Sequence, residues 1–323
     1  MKKIIFFICA NLFLVSSIYV YMPIRKAQAV DIGLSIYPPL VKVVIKPGKN
    51  ITQVFKIENR STDTKTLLAR IIPFTSADDF GNPNINPGST APWLGYFSLA
   101  NSKISLDQPF ELKAGQSDQL ILSVNIPADA PLKDLYATLL VTSYSNTIDT
   151  KLIGSSVSAT IGSNLLISVS VQGAPPTILK IVNFLPESGK YLKIGDYYFL
   201  DNITPVFFTA LAKNDGEYTA ETKGVFKISR NEQSPIELQS VLPQYVLSRS
   251  QRRLGTLTDS KFYFTPSFSM IGIHSVELDI RSENSNASSK IEVIFFPGKI
   301  LIGIISALIF IRLILRISSR TKY

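Results

Sequence analysis

Apolar and polar residues alternate along most of the chain, in short runs broken by Pro, Gly and Asn. A period of two predicts half-buried β-strands. The run 41–45 ends at Pro47-Gly48-Lys49-Asn50, a strong turn. The run 52–58 puts Phe55 and Ile57 on one face and stops at Asn59-Arg60-Ser61-Thr62-Asp63. Further strands are predicted at 66–72, 119–126, 136–144 and 156–171. In the second half they fall at 177–185, 205–212, 220–229, 271–280 and 290–296. Turn signals at this spacing are those of a sandwich. The expected fold class is all-β: two immunoglobulin-like β-sandwich domains in tandem. Gly173-Ala174-Pro175-Pro176 is the best boundary, which gives domains 30–172 and 173–296. The halves echo each other weakly. Phe55-Lys56-Ile57-Glu58-Asn59 and Leu211-Ala212-Lys213-Asn214-Asp215 each leave a strand through an Asn-containing turn.

The two ends break this pattern. Lys2 and Lys3 precede an uncharged, largely apolar run 4–24, and Ala27-Gln28-Ala29 offers small residues for a signal peptidase. The expectation is a signal peptide over 1–29, cut after Ala29, with an uncleaved anchor as the alternative. At the other end Pro297-Gly298-Lys299 opens an uncharged run 300–311, followed by Arg312, Arg316, Arg320 and Lys322. A single transmembrane helix is expected over 297–316, with Lys299 at the outer interface and the tail 317–323 in the cytoplasm. A buried amphipathic helix is the alternative. Signal and span agree on an extracellular ectodomain.

Charge sharpens this reading. The formal net charge of +9 comes from the ends, because the stretch 30–298 carries 24 acids and as many bases. A neutral middle excludes a nucleic-acid partner, which needs a basic folded face. The single cysteine, Cys9, lies in the signal, so the mature chain has no thiol for disulfides, catalysis or metal.

Residues 34–145 resemble the extracellular module of the WxL-interacting, peptidoglycan-binding surface proteins of Gram-positive bacteria. The resemblance is carried by Pro38-Pro39 before a strand, Pro47-Gly48 with Thr52, and Phe55-Lys56-Ile57-Glu58-Asn59-Arg60-Ser61. It continues through Ile126-Pro127-Ala128-Asp129-Ala130-Pro131 into the strand from Tyr136. The second half looks like the companion module, with Lys223-Gly224, Val241-Leu242-Pro243 and Arg252-Arg253-Leu254. Where the family usually has a glycine after the proline turn, Lys133-Asp134 stand. The resemblance implies a membrane-anchored ectodomain and a wall-binding role.

Few residues suggest chemistry. His274 is the only histidine and lies in a strand by pattern, so neither a zinc site nor a serine triad can be built around it. Asp78-Asp79-Phe80-Gly81-Asn82-Pro83 is oxygen-rich, but no glutamate closes it as a calcium loop, and no metal or cofactor is expected. Trp93, the only tryptophan, follows this long loop with Tyr96 close behind. The pair is either a stacking platform or sandwich core. A ligand site in the first domain is expected around Asp78, Asp79, Asn82, Trp93 and Tyr96. Arg249, Arg252 and Arg253 form the densest basic spot, able to meet anionic polymer or to protect a sheet edge. The adjacent acids Asp215 and Glu217 read as solvated turn residues. The expected function is non-catalytic: a membrane-anchored cell-surface binding or adhesion protein whose partners are peptidoglycan, another surface glycan or other surface proteins. The alternative is a scaffold or assembly component that holds surface proteins by strand pairing at a sheet edge.

Overall fold

The structure is a computed structural model and describes residues 33–144, 159–230 and 234–320. The signal 1–29 and Lys322 lie outside the described residues. The first half contains β1 (Leu34–Tyr37), β2 (Leu40–Ile45), β3 (Asn50–Asn59), β4 (Lys65–Ser76), β5 (Pro83–Ile85), β6 (Phe97–Leu99), β7 (Pro109–Leu112), β8 (Ser117–Asn125), β9 (Asp134–Tyr144) and β10 (Thr160–Val169). The second contains β11 (Leu179–Pro186), β12 (Tyr191–Ile194), β13 (Tyr197–Asp201), β14 (Val206–Asn214), β15 (Ala220–Ser229), β16 (Pro235–Val246), β17 (Gln251–Leu254), β18 (Phe262–Phe264), β19 (Gly272–Arg281) and β20 (Asn286–Phe296). The final element is the helix α1 (Gly298–Arg320).

Alternation dictates two-layer packing, because each strand has one apolar face to bury. In β3 the buried side chains are Phe55 and Ile57, the face read from the sequence. Sheet β1-β3-β8-β6 closes over sheet β2-β10-β9-β4-β5, and β11-β14-β17 with β18 closes over β12-β13-β20-β19-β15-β16. Two hydrophobic cores result, one between Ile45 and Val169 and one between Leu179 and Phe295, with no residue in common. The run expected at 156–171 is shorter as a strand, Thr160–Val169.

Both halves share one immunoglobulin-like connectivity. A first strand pairs antiparallel with the third layer-mate: β1 with β3, and β11 with β14. A following strand then crosses to the other sheet and runs parallel to the last strand: β2 with β10, and β13 with β20. The peptide Tyr37–Pro38, at the first crossing, is cis.

The echo between halves extends to single hydrogen bonds. Asn59 is fully buried at the end of β3. Its Nδ2 donates to the carbonyls of Asp63 at 2.8 Å and Leu112 at 2.9 Å, and its Oδ1 accepts the Ser61 N–H at 3.1 Å. Asn214 ends β14 in the same way, donating to Tyr218 at 2.7 Å and Val246 at 3.1 Å and accepting the Gly216 N–H at 3.0 Å. The equivalent residues of the two halves are therefore Asn59 and Asn214. Asp215 instead faces solvent between Lys180 and Lys213, both at 2.8 Å. Those two bonds bring its carboxyl down to about 2.

His274 sits in β19, as its pattern predicted, with its ring edge-on to Phe295 at 5.1 Å. Nδ1 lies 3.0 Å from the Gly272 carbonyl, and Nε2 is buried without a partner. Burial, and then the nearby Arg230 charge, hold its pKa below the ordinary histidine value, against the Gly272 bond.

Replacing Asn59 or Asn214 by Ala leaves buried carbonyls unpaired and should cost about 2–3 kcal/mol each. Urea denaturation of the full chain checks this; a cost near that of an exposed Asn→Ala change would mean the knots contribute little. For His274 the sign follows from the lowered pKa. The unfolded ring takes a proton near pH 6.5 and the folded ring only below that, so this stability is complete above the unfolded value and is lost as pH falls. The urea midpoint should therefore drop between about pH 7 and 5, and His274→Leu should flatten that drop. A variant slope equal to wild type would assign the drop to other groups.

Candidate functional site

Where the two sandwiches meet, one carboxylate collects donors from both. Asp134 opens β9 and is buried. Its Oδ1 accepts the Ser168 hydroxyl at 2.6 Å from the neighbouring strand β10. Its Oδ2 accepts the N–H and the hydroxyl of Thr219, at 2.5 and 2.6 Å, from the turn before β15. The Tyr136 hydroxyl donates to the same oxygen at 2.7 Å and accepts the Ser248 N–H at 2.8 Å. Burial first, and then the Asp134 charge, push the Tyr136 hydroxyl well above the usual tyrosine range, so it stays a donor. Tyr218 adds a bond to the Val169 carbonyl at 3.3 Å. None of Asp134, Tyr136, Thr219 and Ser248 was among the residues picked from the sequence. The only sign was Lys133-Asp134 at an expected glycine.

The same junction brings together two groups read separately. The loop between β4 and β5 carries Asp78, Asp79 and Asn82, and it lies against β17 of the second sandwich. Asp79 pairs with Arg253 at 2.7 Å, and Phe80 lies under the Arg253 guanidinium at 4.9 Å. The Arg253 N–H donates to the Asp79 carbonyl at 2.6 Å. Gly81, at φ +85°, lies against Arg252, where any side chain would collide with the guanidinium. Arg252 in turn donates to the Tyr245 carbonyl at 2.9 Å.

Asp78 is occupied within its own loop. Its Oδ1 accepts the N–H groups of Phe80 and Asn82, and its Oδ2 accepts Asn82 Nδ2 at 2.7 Å. These bonds, led by Asn82, hold its carboxyl below the usual range. The loop oxygens thus already have protein donors. Among the described residues no group of three or more His, Cys, Asp or Glu is placed to hold a metal ion.

Trp93 and Tyr96 belong elsewhere. They sit in a 3₁₀ turn, Pro92–Tyr96, half-buried on the first core, with Trp93 6.0 Å from the Phe97 ring. Both side chains pack against the first core with part of their surface open. Arg249 is exposed and pairs with Glu217, away from Arg252 and Arg253 in role. A cavity of about 370 Å³ remains at the junction, lined by Phe74, Asn82, Asn164, Gln244, Tyr245 and Arg252 among others.

The sheet edges differ in how they are protected. β1, β5, β6, β7, β12, β17 and β18 are three or four residues long. One face of β2 meets the second sandwich, where Lys42 lies 3.6 Å from Glu221 and 5.1 Å from the Tyr245 ring. β11 is interrupted by a register shift between Ile181 and Asn183. Short, covered or bulged edges resist pairing with another chain. β16 is different. It runs twelve residues at the end of its six-stranded sheet. Its later part is tied to the facing layer, with Leu242 N–H donating to Gly255 at 2.9 Å. Over 235–240 no strand pairs with its outer side among the described residues, and Leu238 there is 59% exposed, with Ile236 also exposed.

Lys299 lies at the start of α1, where its Nζ reaches Asp201 at 3.7 Å and Thr204 at 3.4 Å. Arg312, Arg316 and Arg320 fall within α1. Among the described residues no helix is long and apolar enough to cross a membrane. The uncharged run 300–311 is shorter than the roughly 20 residues that a bilayer core requires.

No protein-family model matches the chain, and no curated protein matches it in sequence. Among solved structures it is similar to the class 5 fimbriae chaperone CfaA, at 11% identity and TM-score 0.38 over 81% of this chain and 99% of that one. It is also similar to a CsuC–CsuE chaperone–tip subunit complex of Acinetobacter baumannii, at 13% identity and TM-score 0.36, covering 81% and 99%. The E. coli chaperone DraB gives 12% identity and TM-score 0.35, covering 80% and 96%. Scores at this level are too low to carry an argument about function.

Removing the Asp134 carboxylate strands the donors of Thr219, Ser168 and Tyr136. Asp134→Ala should cost about 2–3 kcal/mol and open the junction, while Arg253→Ala, at a partly exposed pair, should cost under about 1 kcal/mol. Urea denaturation and cleavage rate at 173–176 measure both effects. Equal behaviour of the two variants would show that the buried network does not hold the junction.

Proposed function

We propose that the chain is a non-catalytic assembly protein of the cell surface, which holds another surface protein by strand addition at β16. The observation that carries this is the open outer side of β16: no strand pairs with it over 235–240 among the described residues, and Ile236 and Leu238 stand exposed there. An added strand gains main-chain bonds along 235–240 and side-chain contacts with those two residues. This favours the assembly reading over adhesion to peptidoglycan or another glycan, for which the half-buried Trp93 offers no platform. The acids that could serve hydrolysis are engaged: Asp215 by two lysines, Glu217 by Arg249, and Asp79 by Arg253.

The same proposal places the ectodomain outside the cell and α1 in the membrane. Its support is the apolar surface of α1. From Ile300 to Leu313 the large apolar side chains are exposed, with no layer over them among the described residues. Lys299 and Arg312 flank the uncharged run, and their long side chains can carry their charges to the two interfaces. The resemblance to WxL-interacting surface proteins agrees with this placement.

A photo-crosslinking residue at Leu238 in the full chain, expressed on cells, should trap a surface protein, and Ile236→Lys with Leu238→Lys should abolish the adduct without altering the melting temperature. Adducts confined to wall polysaccharide would sink the assembly reading in favour of adhesion.

A further inference from the structure

The end of the second sandwich from which α1 emerges carries an apolar patch that the sandwich itself does not use. Two loops and a strand end meet there. β13 ends at Asp201 and the loop after it holds Asn202 and Ile203; the loop before β19 holds Phe268 and Ile271; and β20 ends at Phe296, two residues before α1. Asn202 ties them together. Its N–H donates to the Phe296 carbonyl at 3.1 Å, and its buried side chain donates to the Phe268 carbonyl at 3.1 Å. Its neighbours Asp201 and Thr204 are the residues that touch Lys299. The patch is therefore fixed to the first turn of the helix.

On this end Phe268 is 63% exposed, Ile271 46% and Ile203 44%. Two loops that together expose an aromatic ring and two isoleucines gain nothing in folding from doing so. Next to them stand Arg230, whose guanidinium donates to the Ile271 carbonyl at 3.1 Å, and Lys299, paired with Asp201. Apolar side chains beside a base are what an anionic bilayer surface receives, with the apolar groups entering the boundary below the headgroups.

We infer that this end of the second sandwich rests on the lipid surface, with Phe268, Ile203 and Ile271 inserted at the interface beside the start of α1. The occupant is assigned as lipid because the patch is continuous with α1, whose exposed apolar residues begin at Ile300, two residues beyond Gly298. The inference rests on the anchor reading given above. Its consequence is orientation. A sandwich tethered by one helix alone can tilt freely, whereas one seated on three side chains holds its edge strand at a set angle to the membrane.

The test uses the full chain in vesicles of phosphatidylcholine and phosphatidylglycerol, on a Cys9→Ser background. Single thiols at Phe268→Cys, Ile203→Cys, Ile304→Cys and Leu257→Cys carry an environment-sensitive fluorophore. Leu257, 83% exposed in the loop after β17, is the control. Nitroxide-labelled lipid should quench positions 268, 203 and 304 and leave 257 bright. Quenching at 304 with positions 268 and 203 as bright as 257 would overturn the inference and leave the anchor standing. No quenching at 304 would remove the anchor reading and this inference with it. A blue shift at 268 that grows with protein concentration and ignores nitroxide lipid would assign the patch to a second copy, and would equally overturn it. Melting curves of each labelled variant confirm the fold, and position 203 keeps the test decisive should 268 fail to fold.

Discussion

A carboxylate taken out of water must be answered by donors, and Asp134 is answered from both sandwiches at once. Ser168 and Tyr136 reach it from the first and Thr219 from the second, all at 2.5–2.7 Å. Because the cost of leaving a buried charge unanswered is several kcal/mol, the two sandwiches cannot drift apart without paying it. The surface pairs across the same junction, Lys42–Glu221 and Arg253–Asp79, are partly exposed, and each is worth under about 1 kcal/mol. They follow the geometry that Asp134 sets. So do the cavity beside Arg252 and the seating of the Asp78–Asn82 loop on β17.

Inside each sandwich the organising group is an asparagine. Asn59 and Asn214 do the same job with the same atoms, and the likeness extends to the turn that each one braces. Gln116 N–H closes back on Lys113, and Ser250 N–H on Leu247. The third residue of each turn has positive φ: Gly115 at 69° in the first half, Arg249 at 56° in the second. Glycine adopts this region freely, whereas a side chain there costs about 1 kcal/mol. The second sandwich thus repeats the backbone of the first at a position where its residue is ill suited, partly offset by the Glu217 pair. Backbone and buried amide are shared between the halves, and side chains at the surface are not.

This explains what could be read from the sequence and what could not. Strands were legible because burial of one face imposes a period of two, and β3 shows it with Phe55 and Ile57 inside. The Asn turns were legible as turns. In Asn214-Asp215 either residue can start a turn, and burial distinguishes them. The site was legible only in pieces. Asp78-Asp79 and Arg252-Arg253 are visible as an acidic and a basic pair, but Asp79 and Arg253 are 174 residues apart, and nothing local says that they meet. Asp134 had no motif at all, since its partners at 168, 219 and 248 come from other strands and turns. A buried carboxylate is invisible in a pattern that reads acids as solvated.

The sheet order joins the two ends of the functional argument. β16 and β20 belong to one sheet, separated by β19 and β15. Three strand steps at about 4.8 Å put them roughly 14 Å apart. Every pair along that path is antiparallel. β20 runs toward α1, so β16 runs away from it, and a strand added antiparallel to β16 runs in the direction of β20 again. Such a partner would join one continuous hydrogen-bonded layer with β20. A pull on the partner would then pass through backbone bonds of β15 and β19 to β20, without crossing the junction at Asp134. On the proposed reading, holding a partner and holding the membrane both fall to the second sandwich.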